Sequence, residues 1–123
     1  MKKIKKYAIF ILFLYLLFLT YMLLRPANSL PKDFILFEGA DKIVHCCVFV
    51  MLSFLFKIAF PKVNFWVLLL ILFIYGILTE VAQEFAQTGR SGDVFDLVAD
   101  TIGIVIGWFS YDVFRKFFRN ILP

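Results

Sequence analysis

Between Lys6 and Arg25 the chain runs for eighteen residues, Tyr7 to Leu24, without a charged side chain. As a helix that run is about 27 Å long, close to the hydrocarbon thickness of a bilayer. Such a stretch has few ways to fold. In lipid every backbone amide must find its partner within the protein, and a helix does so within the segment itself. Four lysines within Met1 to Lys6 precede the run. A cleaved secretory signal also has a basic start and an apolar middle. This run is longer than a typical signal core, and Ala27 to Ser29 make a poor cleavage site, so it is expected to stay as a first transmembrane helix.

The pattern recurs three times. Arg25 to Ala40 contains Pro26, Pro31 and Gly39 and shows no clean period, so it reads as a loop. A second span is expected over 41–60, a third over 63–86 and a fourth over 93–114. The first seventeen residues of the third, Val63 to Thr79, carry no charge, and Glu80 breaks the run. With 63% hydrophobic residues and seventeen phenylalanines in 123 positions, the chain holds more apolar surface than a soluble domain of this size could bury. The fold class is therefore all-α: a single domain over 1–123, built as a small bundle of four transmembrane helices.

Charge sets the expected orientation and excludes some partners. The net charge of +4 comes from basic residues at the ends of apolar runs, not from a groove or stripe, so nucleic acid is not an expected partner. With the amino terminus inside, nine basic residues (Lys2, Lys3, Lys5, Lys6, Lys57, Lys62, Arg115, Lys116 and Arg119) face the cytoplasm and four (Arg25, Lys32, Lys42 and Arg90) face out. That positive-inside bias predicts a multi-pass cell-membrane protein with both termini cytoplasmic. Lys57 is expected to snorkel from its helix end. Eight of the nine carboxylates fall toward the outer side, leaving only Asp112 toward the inner. Cys46 and Cys47 are adjacent, with no second pair to build a disulfide framework or zinc site, and read as small core residues.

Ionisable groups inside such spans need an explanation, because an acid there costs roughly 2.5 to 3.5 kcal/mol on insertion scales. Asp41 and His45 are four residues apart, so they share one helix face. On the fourth span Asp93, Asp96 and Asp100 fall within about 60° of one another, and Gly103 and Gly107 continue the same stripe. The glycines form a GxxxG pattern that lets another helix approach closely. The face therefore points into the bundle, and its acids with it. Glu80, Gln83 and Glu84 cluster on the third span. Together these residues predict a polar site near the outer surface, closed below by apolar side chains.

The segments DKIVH, EVAQEF and GRSGDVFDLVADTIGIVIG, in that order, resemble the VanZ-like membrane proteins. Their pattern is Asp-Lys-x-x-His on one helix and Glu-x-x-Gln-x-Phe on the next. An Arg, an Asp and Asn-x-x-Gly-x-x-x-Gly follow on the last. The matching positions are Asp41, Lys42, His45, Glu80, Gln83, Arg90, Asp96, Gly103 and Gly107, within 41–107. Asp100 departs from the pattern, which has Asn there. The resemblance implies a link to glycopeptide resistance, teicoplanin above all, and a relationship to membrane enzymes that act on lipid head groups.

A phosphate-bearing membrane lipid or lipid-linked cell-wall precursor suits this residue set. Arg90, Gln83 and Lys42 are the expected substrate-binding residues, with Arg90 pairing the phosphate. Glu80, His45 and Asp96 are the expected catalytic residues, His45 as general acid or base. Asp41, Glu80, Asp96 and Asp100 would hold a divalent cation, Mg2+, Mn2+ or Ca2+, for metal-assisted head-group hydrolysis or transfer. Each role has a structural rival. His45 would serve equally as polar glue to Glu80 or Asp41, Asp93 as a helix cap, Arg90 as a counter-ion and Lys42 as an interface anchor. A non-catalytic protein that holds a lipid or precursor, and so alters antibiotic access, is the alternative to an enzyme. Four short helices also leave a face for a homo-oligomer.

Overall fold

The computed structural model of the chain describes residues 2–24, 40–85 and 94–119. All regular structure among them is α-helical: α1 is Lys2–Leu24, α2 Ala40–Ala59, α3 Phe65–Phe85 and α4 Val94–Phe117. All four are long and apolar enough to cross a membrane. Each helix overlaps one of the expected ranges, with different ends. Helix α1 begins earlier because its lysines join it, and Lys3, Lys5 and Lys6 are exposed. Helix α4 runs on through Arg115 and Lys116, whose positive charges suit the partial negative charge of a helix C-terminus.

Helix α3 starts at Phe65, not at Val63, because Asn64 caps it. The Asn64 side chain accepts from the Trp66 amide at 2.8 Å, and its carbonyl accepts from the Leu68 amide at 3.0 Å. The turn before it is closed by the Val63 amide donating to the Phe60 carbonyl at 3.1 Å, with Pro61 at the position that favours its fixed φ. Lys57 does not snorkel outward as expected. It is buried, donating to the carbonyls of Pro61 at 3.0 Å and Val63 at 3.4 Å, with its ammonium 3.8 Å from the centre of the Trp108 ring. The carbonyls of the turn, reinforced by the indole face, replace water around the charge.

The closest pair of helices is α2 and α4. They run parallel: His45 meets Asp100, Ser53 Oγ donates to the Ile104 carbonyl at 2.8 Å, and Phe54 packs edge-on against Tyr111 and Phe114. The glycine stripe makes this approach possible. A Cβ on Gly103 would overlap the Cys46 carbonyl oxygen, and one on Gly107 would overlap the Val50 carbonyl oxygen. Helix α3 runs against α4 in the opposite sense, with Phe65 on Trp108 at one end and Gly76 against Asp100 toward the other.

Helix α1 is tied on by two hydroxyls: Tyr15 donates to the Val48 carbonyl at 2.7 Å, and Thr20 Oγ1 lies 2.8 Å from Tyr75 Oη. Phe49, Leu52, Leu68, Leu72 and Ile104 form the centre of the core. Large apolar side chains such as Phe10, Phe18, Leu70, Phe95 and Phe109 stand exposed on the outer faces, where lipid is the solvent.

Candidate functional site

The polar residues collect at one end of the bundle, where α2 and α4 begin and α3 ends. Each helix delivers its share at helical spacing. Lys42 and His45 lie three apart on α2, Glu80 and Gln83 three apart on α3, and Asp96 and Asp100 four apart on α4, so each pair faces the same way. His45, Glu80, Gln83, Asp96 and Asp100 are all buried. Glu84, one residue beyond Gln83, is exposed.

At the centre, His45 Nδ1 donates to Asp100 Oδ1 at 2.9 Å, and its other ring nitrogen lies 3.8 Å from Asp96 Oδ2. Lys42 donates to Asp96 Oδ1, with the Lys42 side chain 29% exposed and that of Asp96 9%. The lysine thus sits at the rim with its charge turned inward. Glu80 completes the group from α3. One ligand-type atom from each of His45, Glu80 and Asp100 lies within 4.8 Å of the others. Among the described residues, this end contributes the buried carboxylates Glu80, Asp96 and Asp100 against one ammonium, Lys42, and one imidazole, His45.

Asp100 is the most enclosed member, 1% exposed. Its Oδ1 takes the histidine proton, while its Oδ2 accepts no hydrogen bond from any described residue. That second oxygen lies toward Gly76 of α3, where an added Cβ would come within 3.2 Å of it. Gly76 is the residue that sequence reasoning passed over. It sits one turn before Glu80 on the face that also buries Leu72, Thr79 and Gln83, and lacks the side chain that would displace the Asp100 carboxylate. The readable signal was a lone small residue, four positions ahead of the acid, in a run of large apolar ones.

The structure therefore brings together His45, Glu80, Gln83, Asp96, Asp100 and Lys42. Arg90 and Asp93 lie outside the described residues, as does the side chain of Asp41, whose backbone belongs to the first turn of α2. Asp96 and Asp100 face inward together with Gly103 and Gly107, as the 100° period required. Such a pocket can hold a proton on its imidazole, bind a cation between its carboxylates and offer Lys42 to an anion at its rim.

No curated protein and no solved structure matches this chain. A family model described as VanZ/LLP1 does, over residues 2–115, a range that takes in all four helices except the last two residues of α4. With three polar motifs converging from successive spans and a match over nearly its whole length, the chain belongs to the VanZ/LLP1 family.

Proposed function

We propose that this pocket binds the phosphate head group of a membrane lipid or of a polyprenyl-linked cell-envelope precursor, and acts on it. The observation that carries this reading is the convergence of six polar side chains from three helices at one end of an otherwise apolar bundle. Burying that many polar groups at a span end is costly, and lipid head groups lie at that depth. Lys42 and Arg90 supply positive charge for the phosphate, with Gln83 as a neutral donor. His45, oriented by Asp100, moves a proton at its second ring nitrogen, which faces Asp96. Glu80 and Asp96 are the carboxylates that would polarise or deprotonate the attacking group. A role in glycopeptide resistance follows if the lipid processed is one that antibiotic binding depends on.

The test is lipidomics on cells and on pure protein. Glu80→Gln and Asp96→Asn are expected to abolish both the resistance phenotype and any change in head-group composition, with the protein still in the membrane. Lipid that co-purifies with wild-type protein but never yields product on incubation would instead make the pocket a binding site without catalysis. Unaltered phenotype and lipids in both variants would discard the reading.

A further inference from the structure

We infer that His45, Glu80 and Asp100 form a binding site for one first-row divalent ion, Zn2+ or Mn2+, held between α2, α3 and α4. This deepens the reading above and rests on it for its purpose: carboxylates repel a phosphate unless a cation stands between them. The donor set differs from the one expected from the sequence, because the imidazole takes a ligand's place and Asp96 is engaged by Lys42; with the ion bound, His45 is a ligand and the proton transfer falls to Asp96.

Three observations meet here. The first is proximity: one donor atom from each residue lies within 4.8 Å of the others. Ligands on a common Zn2+ or Mn2+ sit about 3 to 3.5 Å apart, given bonds near 2.1 Å, so closure requires small rotations of side-chain ends. The second is Asp100 Oδ2, a carboxylate oxygen on a side chain 1% exposed that receives no hydrogen bond among the described residues. It points to the face of α3 that carries Gly76 and Glu80. A buried carboxylate oxygen left in that condition costs free energy that a cation would recover.

The third is charge. Three buried carboxylates meet here, and like charges crowded in a low-dielectric place favour a cation between them. The donor types then choose the ion. Mg2+ and Ca2+ take oxygen ligands almost exclusively, whereas one nitrogen with two carboxylate oxygens suits Zn2+ or Mn2+. A single chain supplying three ligands leaves coordination positions open, as catalytic sites do and structural ones do not.

The experiment is calorimetric titration of Zn2+ and of Mn2+ into chelator-stripped protein in lipid nanodiscs of neutral phosphatidylcholine, with bound metal counted by mass spectrometry. One ion per chain is expected. Asp100→Asn and Glu80→Gln, which keep side-chain shape, should each weaken binding at least about 30-fold, since loss of even an outer-shell partner costs about 10- to 100-fold. Asp112→Asn, an exposed carboxylate at the other end of α4, should leave it unchanged. Absence of binding to wild type, or equal binding by all variants, overturns the inference.

A second arm separates this result from the functional reading. Retention of anionic phospholipid, measured with and without chelator, should fall when the ion is removed. If the ion binds and lipid retention never depends on the pocket residues, the head-group reading fails and the metal site stands. Lipid retention that depends on Lys42 and Asp96 but ignores chelator leaves the reading and removes the ion from it.

Discussion

His45 and Asp100 hold each other in place because neither has water to turn to. Removing the partner of a buried carboxylate costs about 3 to 5 kcal/mol, since the survivor is left uncompensated. In chelator-treated micelles His45→Ala should therefore lower the midpoint of thermal unfolding far more than substitution of exposed Glu84 by Gln. The double variant His45→Ala, Asp100→Ala should recover part of the loss, because no orphaned carboxylate remains. A non-recovering double variant would show that Asp100 is held by something other than this imidazole. Lys57 makes the same point at the opposite end. Lys57→Met should cost about 1 to 3 kcal/mol by removing two hydrogen bonds and the cation–π contact with Trp108, measured by the same unfolding. The sequence does not reveal this role: a lysine near a helix end reads the same whether it reaches for water or for carbonyls, and only the turn at Pro61 folding back over it decides.

The inward face of α4 is fixed by spacing alone, and its partner is not. Positions 96, 100, 103 and 107 share a stripe in any straight helix, so their burial follows from the period and from the cost of acids in lipid. Which helix the glycines admit is decided by packing between segments fifty residues apart, and no local pattern in α2 advertises that the Cys46 and Val50 carbonyls will sit there. The same holds for Gly76, whose meaning appears only when Asp100 is set against it. Gly103→Val should disrupt the α2–α4 contact, overpacking a site with no room for a Cβ at a cost of about 1 to 3 kcal/mol or more. Ile102→Ala, on the exposed side of the same turn, should change stability little. Because Gly103 lies one turn below Asp100, the Gly103 variant should also weaken whatever the pocket binds. Full stability in Gly103→Val, read from unfolding in micelles, would mean that the two helices have room that the backbone contact denies.

At the scale of the whole molecule, the site's position gains meaning only from the side of the membrane it faces. The pocket occupies one end of the bundle, and the basic residues Lys3, Lys5, Lys6, Lys62, Arg115, Lys116 and Arg119 occupy the other. The positive-inside rule predicts a pocket that faces outward, because positive charge near span ends is retained on the cytoplasmic side. Single cysteines in a background with Cys46 and Cys47 replaced by alanine test this directly. Glu84→Cys, exposed at the pocket end, should react with a membrane-impermeant maleimide on intact cells. Lys116→Cys, exposed at the far end, should react only after permeabilisation. The reverse labelling would place the pocket against the cytoplasmic leaflet, where the lipids on offer are precursors still being assembled and not those an external antibiotic meets. The proposed chemistry of the pocket would stand in that case, and the proposed connection to resistance would not, because a glycopeptide outside the cell and a head group altered inside it are then separated by the bilayer itself.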